Sequence, residues 1–125
     1  MSTHMFATIH KLFWVGYILA LVVGSLLPVD LPVTPEHGDK VMHFLAYCVL
    51  VFLWPRAWVG TALAMFSLGA GLGLALEIGQ GILPTGRFMD IWDALSNALG
   101  AGVGVICLGL LLKRREGFWR PRRQA

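Results

Sequence analysis

Asp39-Lys40-Val41-Met42-His43-Phe44-Leu45-Ala46-Tyr47-Cys48-Val49-Leu50-Val51-Phe52-Leu53-Trp54 is the stretch on which the fold turns. As a helix, its apolar part from Val41 to Trp54 covers only about 21 Å at about 1.5 Å per residue, short of the roughly 30 Å hydrocarbon core of a bilayer. Its three neighbours at 12–29, 58–77 and 91–112 meet the length and apolarity of a spanning helix directly. Counted as a crossing, the short stretch puts the charges that flank all the segments on consistent sides; left out, it scatters them. The sequence thus predicts an all-α, polytopic membrane protein. Four transmembrane helices at about 12–29, 41–54, 58–77 and 91–112 form one compact bundle, followed by a basic tail at 113–125.

The composition agrees with a bilayer as solvent. The chain has 125 residues, 57% of them hydrophobic and 14% charged, with a mean hydropathy of +0.71, which is outside the range of a water-soluble domain. In the four-pass arrangement Lys11, Arg56, Lys113, Arg114, Arg115, Arg120, Arg122 and Arg123 share one side, leaving Lys40 and Arg87 on the other. Positive residues in short flanks favour the cytoplasm, so both termini are expected there. The outer side then carries Asp30, Glu36, Asp39, Glu77, Asp90 and Asp93. Lys11 before an apolar run has the look of a signal peptide, but the run is longer than a signal h-region and lacks a clear small-x-small cleavage site. Cys48 and Cys107 both fall within predicted spans, where they read as small packing residues rather than a disulfide.

The punctuation between the spans follows from residue chemistry. Pro28, Pro32, Pro35 and Gly38 predict an irregular first loop, with Asp39 as N-cap of the second helix. Trp54 to Trp58 reads as a tight inner turn whose tryptophans suit the headgroup level. Gly69, Gly71 and Gly73 in the third span, and Ser96, Gly100 and Gly104 in the fourth, predict close helix contacts. The basic and aromatic tail suits anionic lipid headgroups; no nucleic-acid partner is expected.

Polar residues recur on helical spacing at the outer ends. Asp39, His43 and Tyr47 share a face, with Lys40 beside them; Gly73, Glu77 and Gln80 form a second stripe, and Asp90, Asp93 and Asn97 a third, with Arg87 just before it. The simpler account is interhelical glue, for instance Arg87 paired with Asp90 or Glu77. Carboxylates outnumber their available partners, however, and this favours a site.

The string Asp39-Lys40-Val41-Met42-His43-Phe44-Leu45-Ala46-Tyr47, then Glu77-x-x-Gln80, then Gly86-Arg87-x-x-Asp90-x-x-Asp93, then Asn97-x-x-Gly100-x-x-x-Gly104, resembles the VanZ-like family of small bacterial membrane proteins over about residues 39–110. The resemblance implies a four-helix protein of the bacterial cytoplasmic (inner) membrane and a link to glycopeptide (teicoplanin) tolerance, without carrying over a reaction. The paired-Asp motif of CDP-alcohol phosphotransferases and the signatures of lipid phosphatases, rhomboid proteases and CAAX-type proteases are absent from the sequence.

The first expectation is therefore an outward-facing pocket that binds or shields a lipid-linked envelope precursor, a lipid headgroup or another amphiphile. Its ligand-binding residues are Asp39, Lys40, His43, Glu77, Gln80, Arg87, Asp90, Asp93 and Asn97, with Lys40 and Arg87 for the anionic groups. The alternatives are an enzyme on a lipid-linked substrate, with His43, Glu77 and Asp93 as catalytic candidates, and a structural or assembly factor. No cofactor is predicted; a divalent cation, where one is held, is assigned to Asp90 and Asp93.

Overall fold

The computed structural model describes residues 3–27 and 38–118 of the chain. These form helices α1 (Thr3–Leu26), α2 (Gly38–Phe52), α3 (Ala62–Ile82) and α4 (Ile91–Phe118), with a single 3-10 turn at Arg56–Trp58 and no strand among the described residues. The prolines of the first loop and the tail from residue 119 on lie outside them. Three helices, α1, α3 and α4, are long and apolar enough to cross a membrane. The fourth, α2, has 15 residues, about 22 Å of helix. Large apolar side chains point outward throughout, among them Leu12, Leu63, Leu68, Ile82 and Ile106, as expected where the surrounding medium is lipid.

Helices consecutive in the chain run antiparallel, so the C-terminal ends of α1 and α3 meet the N-terminal ends of α2 and α4. This is shown by the pairings of Tyr17 with Ala46, Gln80 with Ser25, and Glu77 with Asp90. The closest packing joins α2 to α4, and glycine makes it possible. A Cβ on Gly100 would strike the Phe44 carbonyl, and one on Gly104 would come within 2.6 Å of the Cys48 carbonyl. Gly69 and Gly73 on α3 meet side chains: a Cβ on Gly73 would lie 2.7 Å from Asn97 Cβ of α4, and one on Gly69 2.9 Å from Val51 of α2 and 3.2 Å from Ala101 of α4. Gly71 differs from the expectation: nothing lies within 4 Å of its would-be Cβ, because it falls on the outward side of α3. Ser96 likewise spends its hydroxyl on the Trp92 carbonyl of its own helix.

The helix ends depart from the sequence reading for identifiable reasons. The first helix begins at Thr3 rather than Leu12, since His10 and Lys11, which look like an end, have partners: His10 Nε2 lies 2.9 Å from the Leu53 carbonyl and Lys11 Nζ sits 5.3 Å from the Trp58 ring. It stops at Leu26, ahead of Pro28. The third runs Ala62–Ile82 rather than 58–77 because Trp58 belongs to the 3-10 turn and Thr61 caps the helix, its hydroxyl accepting from Ala64 N at 3.1 Å. Asp39 is not the cap of α2 but part of its first turn, and its Oδ1 accepts from Lys40 N. The last helix continues past Leu112 to Phe118.

α1 is held on α2 by side chains that satisfy backbone carbonyls. Trp14 Nε1 donates to Leu50 O at 2.9 Å and the Tyr17 hydroxyl to Ala46 O at 2.9 Å, one helical turn apart along α2. Leu50 and Leu53 sit where α2 runs out of intrahelical donors, so α1 supplies what the helix end lacks. Trp14 then packs edge-on against Trp54 and Trp58 at centroid distances of 4.8 and 6.0 Å. The buried core of Leu50, Val51, Met65, Ala101 and Leu108 lies beside this aromatic group.

Candidate functional site

At the opposite end of the bundle the polar stripes converge. Lys40, in the first turn of α2, reaches across to the start of α4, and its Nζ lies 3.1 Å from Asp39 Oδ2, 2.9 Å from Asp90 Oδ2 and 3.0 Å from Asp93 Oδ1. One ammonium thus serves three carboxylates. Asp90 has further tasks: its Oδ1 caps α4 by accepting from Trp92 N at 2.8 Å, and its own N donates to Glu77 Oε2 at 3.1 Å. The Lys40 ammonium, and then the Trp92 N–H, hold the Asp90 carboxyl below the usual carboxylate range.

One turn deeper, α2, α3 and α4 contribute His43, Glu77, Asp93 and Asn97. His43 Nδ1 lies 3.0 Å from Asn97 Oδ1 and 3.9 Å from Glu77 Oε1, and its Nε2 lies 3.5 Å from Asp93 Oδ2. With the carbonyl end of Asn97 facing it, Nδ1 is the nitrogen that donates, leaving Nε2 toward the carboxylate. Glu77 and Asn97 are each 1% exposed. The bare Cα of Gly73 gives Asn97 its place, so a packing glycine and a polar side chain are one device.

Gln80 and Arg87 turn away from this group toward α1. Gln80 Nε2 donates to Ser25 O at 2.9 Å, and Arg87 Nε donates to Leu27 O at 3.2 Å. Gly86, at φ 76°, makes the left-handed step that sends Arg87 that way. The pairing of Arg87 with Asp90 or Glu77 that the glue account offered does not form; Arg87 instead lines a pocket of about 210 Å³ between α1 and α2, together with His43, Tyr47, Ser25 and Met42. Tyr47 is 2% exposed and its hydroxyl has no hydrogen-bond partner.

Of the residues expected to form a site, the structure gathers Asp39, Lys40, His43, Glu77, Asp90, Asp93 and Asn97 at one end and sets Gln80 and Arg87 on its α1 side. Lys40 is surrounded by its own carboxylates, which leaves Arg87, among the described residues of this end, as the cation that lines a pocket. Tyr47 was visible as the third member of the Asp39 and His43 stripe, yet nothing in that spacing showed that its hydroxyl lacks a partner. Two elements that a sequence does not display, the Ser25 and Leu27 carbonyls, complete the α1 side.

The VanZ/LLP1 family model matches residues 2–112, extending the resemblance read from the motifs back through α1. No curated protein and no solved structure matches the chain. The match covers nearly the whole helical bundle, and the chain belongs to the VanZ family.

Proposed function

We propose that the chain crosses the bacterial cytoplasmic membrane four times, with both termini inside, and holds the anionic head of an envelope amphiphile in the outward pocket between α1 and α2. The four-pass arrangement is supported by the Lys and Arg residues, since Lys11, Arg56, Lys113 and Arg114 all lie at the end away from the carboxylates. The short α2 is accommodated by local thinning and by its longer neighbours. A cysteine replacing the exposed Phe88, in a background with Cys48 and Cys107 changed to alanine, is expected to react with a membrane-impermeant maleimide on intact cells. Reaction only after lysis would reverse the orientation.

The observation that carries the binding reading is that Arg87 lines one pocket together with Tyr47, whose buried hydroxyl has no partner. A guanidinium fork matches phosphate and carboxylate geometry, and an orphan hydroxyl is a donor awaiting an acceptor. At about 210 Å³ the pocket is below the roughly 300–1,000 Å³ of sites for drug-sized ligands. It accommodates a headgroup, with the acyl part left in the bilayer. Growth under teicoplanin is the cellular readout of the same reading.

Native mass spectrometry of the full-length protein in mild detergent tests it, with phosphatidylglycerol and phosphatidylcholine as probes. The anionic lipid is expected to remain bound in preference, and Arg87→Gln to cut its retention at least about fivefold, the loss of a charge-assisted contact. Equal retention by Arg87→Gln, or of both lipids, would overturn the reading.

A further inference from the structure

The carboxylate end holds two overlapping trios of acidic and histidine side chains that share Asp93, and they differ in what lies between them. Asp39, Asp90 and Asp93 already contain a cation, because the Lys40 ammonium is within 3.1 Å of an oxygen of each. His43, Glu77 and Asp93 enclose none: among the described residues no lysine or arginine pairs with Glu77, although it is 1% exposed. A buried carboxylate without a cation is costly, by several kcal/mol as a rough scale.

The spacing within the second trio is informative. At 3.5 Å for His43 Nε2 to Asp93 Oδ2, and 3.9 Å for His43 Nδ1 to Glu77 Oε1, the groups stand beyond the roughly 2.7–3.2 Å of a direct N–H···O bond. One ligand atom from each of the three lies within 4.8 Å of the others. Atoms sharing one ion at about 2.0–2.2 Å in a tetrahedral site lie roughly 3.3–3.6 Å apart, so side-chain shifts of about an ångström close the set. Asn97 holds Nδ1, which leaves Nε2 as the ligand nitrogen facing Asp93, the arrangement usual behind a metal-bound histidine; Glu77, whose Oε1 lies nearer Nδ1, reaches an ion there by a side-chain shift. Asp93 is bonded to Lys40 through Oδ1, which leaves Oδ2 for an ion.

We propose that His43, Glu77 and Asp93 bind one divalent first-row transition-metal ion, of the Zn²⁺ or Mn²⁺ type, deep to the Lys40 ion-pair cluster. One imidazole with two carboxylates suits these ions, whereas Ca²⁺ and Mg²⁺ favour oxygen-only surroundings. Three protein ligands leave a coordination position open. The site shares His43 with the lining of the α1–α2 pocket, but neither Arg87 nor Tyr47 takes part in it, so its test does not depend on the amphiphile reading.

The test is isothermal titration of Zn²⁺, and separately of Mn²⁺, into full-length protein stripped with EDTA in detergent, with helicity followed by circular dichroism. Wild type is expected to take up one ion per chain with micromolar or tighter affinity. Glu77→Gln and Asp93→Asn should each weaken it at least tenfold at unchanged helicity, while His4→Ala, which removes an exposed histidine remote from the site, leaves it unchanged. The proposal is overturned by the absence of saturable one-to-one binding, by full affinity in Asp93→Asn, or by loss of binding in His4→Ala. If Glu77→Gln loses helicity, the Asp93→Asn affinity decides, because Asp93 is the less buried ligand.

Discussion

The two ends of the bundle solve the same problem of polar groups among apolar helices, and they end with different accounts. At the tryptophan end His10, Trp14 and Tyr17 each meet a carbonyl of the α2 segment, Trp54 Nε1 donates to Trp58 O at 3.0 Å, and Lys11 lies over an aromatic ring. At the carboxylate end one lysine serves three aspartates, Glu77 has no Lys or Arg partner among the described residues, and the buried Tyr47 and Thr85 hydroxyls have no hydrogen-bond partner. Glue needs matched partners, and the first end has them. A binding site leaves partners over for something not yet there, which is the condition of the second.

Both ends depend on the glycine seam that brings α2 against α4, so breaking the seam carries the largest expected effect. Gly100→Ala places a methyl group on the Phe44 carbonyl, and backbone cannot swing aside as a side-chain tip does. A loss of about 3 kcal/mol or more is expected, at or above the usual cost of overpacking. It should appear as sharply reduced accumulation and a lower melting temperature in detergent. Gly71→Ala, made in the interior of α3 but with open space beyond the Cα, should melt within a degree or two of wild type or slightly above it. Equal tolerance of both variants would mean that the α2–α4 approach does not hold the bundle together.

How much of this was legible in the sequence depends on whether a feature is set by one helix or by several. Gly100, Gly104 and the stripe of Asp39, His43 and Tyr47 repeat at helical spacing along single segments, so a face could be read from each. Partner choice was not readable, because it is fixed by which helices abut. Lys40 might have met any outer carboxylate, and only the parallel run of α2 beside α4 delivers it to Asp90 and Asp93. Arg87 follows a left-handed glycine toward α1 instead of its nearer acidic neighbours in sequence. The start of α1 was hidden for a related reason: His10 and Lys11 look like the polar edge of a span until the α2–α3 turn gives them partners.

A matched pair of hydroxyl and indole deletions sharpens the contrast at intermediate size. Trp14→Phe removes the donor that serves Leu50 O in the buried core and should cost about 1–3 kcal/mol, the usual range for an abandoned buried acceptor. Tyr47→Phe removes a hydroxyl that has no partner and should be neutral or slightly stabilising by thermal melting, while reducing retention of phosphatidylglycerol. A substantial stability loss from Tyr47→Phe would show that its hydroxyl is part of the structural account, and the two ends would then no longer differ in kind.

The smallest expected effect concerns the part of the carboxylate end that resembles glue most, the Lys40 cluster. The Asp90 carboxyl is held below its ordinary range chiefly by the Lys40 ammonium. A carboxylate with a depressed value in the folded state stabilises the fold above its unfolded value of about 3.9. That contribution is lost as pH falls through the lower, folded value. Melting temperature should therefore hold steady down to about pH 4 and decline below it. The decline should be shallow and weaken in high salt, because the ion pair is partly open to solvent. Lys40→Met reverses the sign: Asp39 and Asp90 are left together without their shared cation, repulsion favours their protonated forms, and acidification toward pH 4 should raise the melting temperature. A Lys40→Met profile that still declines on acidification would show that the cation neutralising these carboxylates is not Lys40, and the assignment of the acidic residues to one filled trio and one open trio would fail.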